Sequence, residues 1–189
     1  MAVARALALP GEHEAWEPVG FAPGEPIGDV ALAYGAPALE LAIEGLQDEA
    51  PDGLPLLQAA PGPPAGHGAH PNGALVIDHV VALTDDMDRT LGALGEAGLE
   101  LRRERRAPAR QAFFNLHTLV LEVVEADGAA PRLWGLTVVV EDLDALGPLV
   151  GEPRDAVQPG RRIATVPQEA GLPAALAFMT PRPQRSAPS

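Results

Sequence analysis

The chain contains neither cysteine nor lysine. Without thiols there can be no disulfide, no thiolate nucleophile and no cysteine-held zinc or iron–sulfur cluster, so any metal ligand must be histidine or carboxylate. Without lysine there is no P-loop lysine and no Schiff base. Aromatic residues are few, four Phe, two Trp and one Tyr, which leaves the core to aliphatic side chains. Basic charge is also short. Thirteen arginines stand against 26 acidic residues for a net charge of −13, a field that repels polyphosphate and anionic headgroups. Neither nucleic acid nor a membrane is an expected partner. No apolar run approaches the roughly 18–20 residues of a membrane span, and the opening MAVARALALPGEHE turns polar too early for a secretory segment. The expected location is cytoplasmic.

The 189 residues, 47% of them hydrophobic, suffice for one domain with an appended piece. Pro51, Pro55, Pro61, Pro63, Pro64 and Pro71 alternate with Gly53, Gly62, Gly66, Gly68 and Gly73, a density that forbids a continuous helix or central strand. Residues 51–73 therefore read as a linker between an N-terminal piece, 1–50, and a longer body, 74–180. The tail 181–189 has too little apolar content to pack and reads as disordered.

The body repeats itself. Leu75–Leu83 is a strand-like run, Thr84-Asp85-Asp86 a helix cap, and Met87, Leu91 and Leu94 recur at helical spacing up to a stop at Gly98. The same order returns from Leu133–Val140 through Glu141-Asp142 to Leu143, Leu146, Leu149 and Val150. Strand material follows each helix, at Leu99–Arg106, Gln111–Asn115 and Thr118–Glu125, and again at Arg161–Val166 and Ala174–Thr180. This predicts an α+β fold of tandem βαβββ units, 74–126 and 131–180. A fainter copy runs through 1–50, with a helix interrupted by Pro18; the alternative there is an unrelated extension of two or three strands.

Two such units, with Ile77-Asp78-His79-Val80-Val81 in the first strand, Thr84-Asp85-Asp86-Met87-Asp88 at the corner and Val120-Leu121-Glu122-Val123-Val124 near the end, resemble the vicinal oxygen chelate superfamily of glyoxalases, extradiol dioxygenases and bleomycin-resistance proteins. The resemblance implies a cupped, mostly antiparallel sheet around one small-molecule cavity. It also implies a divalent metal held by a first-strand and a last-strand residue of each unit. Here the first unit offers His79 and Glu122, a donor pair suited to Fe, Mn, Ni or Zn. The second offers Gly135 at the first-strand position and no carboxylate in AALAFMT. Two ligands leave most of the metal's coordination to water, so the expectation is a degenerate site without a cofactor, a divalent metal being the alternative. His79 is then an acid–base partner of Glu122, a hydrogen-bonded relic of a metal site, or a ligand completed from elsewhere.

Phe114, Gln158 and one of Arg161 and Arg162 are expected beside His79 and Glu122 as ligand-binding residues; strand alternation sends one arginine of the pair inward. Arg102, Arg103, Arg105, Arg106 and Arg110 read either as a charged edge that blocks aggregation or as an anion-binding rim. His13, His67, His70 and His117 are expected at the surface. The functional expectation is a small-molecule-binding protein with no assigned reaction. The alternative is a metal-dependent lyase, isomerase or dioxygenase. The resemblance further implies a homodimer, and a sequestering member's cationic ligand would suit the net charge.

Overall fold

The structure is a computed structural model and describes residues 1–183; the expected disorder of 181–189 lies largely outside them. The apolar, β-branched run forms β5 (Ala74–Thr84), the centre of the body. At its end the Asp86 carboxylate accepts the Arg89 amide at 3.0 Å, capping α1 (Met87–Glu96). Met87 and Leu94 are fully buried. Gly98, at φ +84, ends the turn where a Cβ would meet the Gln47 side chain at 2.9 Å. β6 (Leu101–Arg105), β7 (Gln111–Leu116) and β8 (Leu119–Glu125) follow, and β8 returns parallel to β5.

The second unit comprises β9 (Arg132–Val140), β10 (Arg154–Asp155), β11 (Arg162–Thr165) and β12 (Ala175–Met179). β9 runs antiparallel to β5, and β12 runs parallel to β9. The eight strands form one sheet in the order β10-β11-β12-β9-β5-β8-β7-β6. Each unit is thus ordered first, fourth, third, second, and the two join through their first strands. The sheet curls until its outermost strands, β6 and β10, line one cavity.

The second unit lacks its expected α-helix. Asp144–Leu149 is a short 3₁₀ run broken at Gly147 (φ 52, ψ −129), before Pro148. Proline removes an amide donor and drives the preceding residue out of the helical region. Leu143 and Leu146 remain buried, but Leu149 is 39% exposed. The N-terminal segment packs against the second unit on this side. Phe178 of β12 meets Phe21 with ring centroids 6.4 Å apart, and Trp16 stacks behind Phe21 at 5.8 Å. These residues belong to the same buried cluster as Val80, Leu121 and Phe114 on the convex face of the body sheet.

Within that segment, β1 (Val3–Pro10), β2 (Ala31–Ala36), β3 (Glu40–Glu44) and β4 (Leu56–Ala59) form a second sheet, ordered β2-β1-β3-β4. Its pairings are parallel, antiparallel, parallel, the same as those of β8-β5-β9-β12. Helices are replaced by 3₁₀ turns at His13–Ala15, Glu17–Val19 and Pro51–Gly53. The proline-rich stretch read as a linker thus contributes β4, with Leu54 and Leu56 fully buried. His70 is a correction: only 8% exposed, it accepts the Ala22 amide at Nδ1 (3.0 Å) while Nε2 reaches the Pro26 carbonyl (3.1 Å). Among the described residues no helix is long and apolar enough to cross a membrane.

Candidate functional site

His79 and Glu122 lie together on the concave face, on β5 and the adjacent β8. His79 Nε2 is 3.5 Å from Glu122 Oε2 and 3.1 Å from Thr137 Oγ1, which sits opposite it on β9. Gln111 donates its side-chain amide to Glu122 Oε1 at 2.9 Å. Behind the imidazole, Nδ1 donates to Asp78 Oδ2 at 3.0 Å. Asp78 Oδ1 in turn accepts from Arg161 Nη1 at 2.6 Å, and Arg161 Nε donates to the Thr180 carbonyl at 2.8 Å. A continuous polar chain therefore runs from a buried guanidinium to the cavity carboxylate.

Asp78 was not legible as a site residue, because strict alternation places it on the face opposite His79. The β5–β9 ladder shifts register between Ile77 and His79. An extra residue at a bulge re-aims its side chain, and here it brings two consecutive side chains into hydrogen-bonding contact. An Asp-His pair inside an otherwise apolar run was the available signal.

The charges follow from these contacts. Burial pushes the Asp78 carboxyl up, but hydrogen bonds from His79 and Arg161, with their positive charge, win and hold it at about 2. Burial dominates at Glu122 and raises its pKa; attraction to His79 and Arg105 opposes the rise, and the nearby Asp78 charge adds to it. With Nδ1 turned to the Asp78 carboxylate, it is Nε2 of the ring that faces Thr137 and Glu122.

The cavity measures about 670 Å³, within the range typical of small-molecule sites. His79, Gln111, Phe113, Glu122, Gln158 and Met179 line it, with Arg103 and Arg105 on one rim and Arg154 on the other. Gln158 is placed there, as expected. Phe114 is not: it is 1% exposed and packs in the convex-face core, and its neighbour Phe113 takes the cavity position, since consecutive strand residues face opposite ways. Neither arginine of the 161–162 pair lines the cavity, contrary to the expectation: Arg161 is buried, at 2% exposure, with its guanidinium bonded to Asp78 and the Thr180 carbonyl. Arg162 points outward and pairs with Asp144 at 3.0 Å.

The donor set does not fit a retained divalent metal. His79 and Glu122 are two donors, and among the described residues no group of three or more histidines and carboxylates is placed to hold an ion. At the position the sequence repeat assigns to the second unit's ligand, a Cβ added at Gly135 would lie 2.5 Å from the Ala175 carbonyl oxygen, and the β9 residue paired with His79 is Thr137, a hydroxyl where a second imidazole would be needed.

No family model matches the sequence, and no curated protein matches it. Solved structures do. Methylmalonyl-CoA epimerase from Mycobacterium tuberculosis aligns at 17% identity over 62% of this chain and 95% of its own, with a TM-score of 0.52. A xylose isomerase-like TIM barrel/4-hydroxyphenylpyruvate dioxygenase fusion protein aligns at 11% identity with a TM-score of 0.61. That alignment takes in 98% of this chain, N-terminal sheet included, and 50% of the fusion protein. At such identities the likeness is one of shape alone, and the paired units observed here have that shape: the chain has the vicinal oxygen chelate fold.

Proposed function

We propose that the concave face is a small-molecule site in which His79 and Glu122 move a proton on the bound ligand without a metal. The observation that carries this reading is the chain Arg161–Asp78–His79–Glu122. Asp78 fixes the tautomer and orientation of His79, leaving Nε2 as the base. Glu122, whose proton affinity is raised by burial, stands beside it as the acid. Phe113, Met179 and Gln158 supply apolar surface and one polar contact to orient a ligand. A pre-oriented acid–base pair of this kind contributes on the order of 10²–10⁴-fold to proton transfer.

Incubation with a small-molecule panel in D₂O tests binding and chemistry together. A ligand is expected to raise the melting temperature, with the rise lost in His79→Ala, and to take up deuterium at a carbon. Glu122→Gln should bind the ligand yet exchange roughly 100-fold more slowly. Stoichiometric iron, manganese, nickel or zinc in protein purified without a tag, lost in Glu122→Ala, would overturn the reading in favour of a metal-dependent lyase, isomerase or dioxygenase. The cytoplasmic location and the homodimer belong to the same proposal; a monomer in light scattering at micromolar concentration removes the latter.

A further inference from the structure

The net charge of −13 suggests a cationic ligand, and the cavity has the opposite character. Arg103 and Arg105, two apart on β6, lie in register with Phe113 and Gln111 of β7, both of which line the cavity. Glu104 between them faces away and is engaged by Arg110 at 2.7 Å and Arg106 at 3.6 Å. Arg154 opens β10 on the opposite rim. Arg106, Arg110 and Arg162 form ion pairs away from the cavity, whereas Arg103, Arg105 and Arg154 form none among the described residues. Arg102 and Arg132, outside the cavity, also form no ion pair among the described residues, so what marks Arg103, Arg105 and Arg154 is their convergence on one opening. The acidic groups of the lining are Glu122, which is bonded to Gln111, and Asp155. In a chain with twice as many acids as bases, three unpaired guanidinium groups around one opening make a local positive field inside a negative molecule.

Resting on the proton-transfer reading, we infer that the ligand is a small organic anion whose carboxylate or phosphate is gripped by Arg103, Arg105 and Arg154. Its reacting end then lies over Phe113 beside His79 and Glu122. The dimensions agree. Arg103, Phe113 and Glu122 are successive register partners across β6, β7 and β8, so two strand spacings, about 10 Å, separate the first from the last. A guanidinium reaching inward shortens this gap to the length of a short chain or a single ring. Guanidinium pairs bidentately with both carboxylate and phosphate.

Calorimetric titration at low salt with benzoate, phenyl phosphate, benzamide and benzylamine tests the inference, because the four share one ring and differ in charge. Benzoate or phenyl phosphate should bind about tenfold or more tightly than benzamide, weaken as salt is added, and outcompete benzylamine. Whichever of the two anions binds more tightly identifies the group the site prefers. Replacing all three arginines (Arg103→Gln, Arg105→Gln, Arg154→Gln) should cut anion affinity at least about tenfold while leaving the melting temperature of the free protein unchanged, since these side chains make no ion pair. Equal binding of benzamide or benzylamine, undiminished anion binding in the triple variant, or no saturable anion binding below about 10 mM would each overturn the inference. Anion binding that depends on the arginines, in a protein that exchanges no ligand proton, supports it and sinks the proton-transfer reading alone.

Discussion

The two units of the body share strand order and direction yet divide the labour. The first carries His79, Asp78, Glu122 and a capped α-helix. The second has Thr137 paired with His79, Gly135 pressed against the Ala175 backbone, a last strand of apolar residues, and a broken 3₁₀ turn in place of the helix. Its contribution to the site is support. Thr137 meets the imidazole, and Arg161, from the turn before β11, reaches across to Asp78. One unit holds the chemistry, and the other anchors it and closes the far rim. Where the helix is lost, the Trp16–Phe21 cluster of the N-terminal segment packs on Phe178 of β12, and a cavity of about 680 Å³ remains between Pro37–Leu39 and Ala174–Leu176.

Four experiments would break or sharpen this division. The largest effect is expected for Asp78→Ala, which strands the Arg161 guanidinium in the interior; unfolding in urea should show a loss of about 3–5 kcal/mol. Asp144→Ala, which breaks the exposed pair with Arg162, should cost under about 1 kcal/mol, so comparable losses would deny the cross-unit anchor its importance. Of similar size is the contrast between adjacent phenylalanines. Phe114→Ala should cost about 3–5 kcal/mol, while Phe113→Ala should cost clearly less and weaken ligand binding. Next, Gly135→His, which puts an imidazole at the position the sequence repeat assigns to the second unit's ligand, should destabilise the protein by about 1–3 kcal/mol and add no metal retention; a stable, metal-loaded variant would contradict the steric argument.

The smallest effects concern pH. Asp78 holds its proton only near pH 2 in the folded protein, against about 3.9 in an unfolded chain. The stability it contributes is complete above the unfolded value and is lost as pH falls through 2. Glu122 has the opposite sign: its raised pKa means that ionisation opposes folding once pH exceeds the ordinary glutamate range. Asp78→Asn should therefore flatten the acid limb of the stability profile. Glu122→Gln should be relatively more stable at neutral pH than at pH 3. Parallel profiles for both variants would mean the two carboxylates do not occupy different environments.

Much of the body was readable because its signals are local. A β-branched run, an Asp cap, an i, i+4, i+7 apolar face and a glycine stop each act within a few residues, and their repetition announced the tandem units; the pairing of His79 with Glu122 came from the family resemblance. The second helix misled because its apolar spacing was right, while Gly147-Pro148 sat inside it as a breaker with more weight than the pattern. β4 was hidden by neighbouring prolines. Its four residues pair with β3 at the edge of a sheet, where proline nearby does no harm.

Composition and order along the chain determined which chemistries are absent, where the strands of the two units begin, and which unit retained a histidine and a carboxylate. Three things were decided only by tertiary structure. A bulge turned Asp78 toward its neighbour, Arg161 came from 83 residues away to hold it, and the curl of the sheet set three arginines from opposite edges around one mouth. These depend on strand register and sheet curvature, which arise from the packing of distant segments against each other and leave no trace in the spacing of neighbours along the chain.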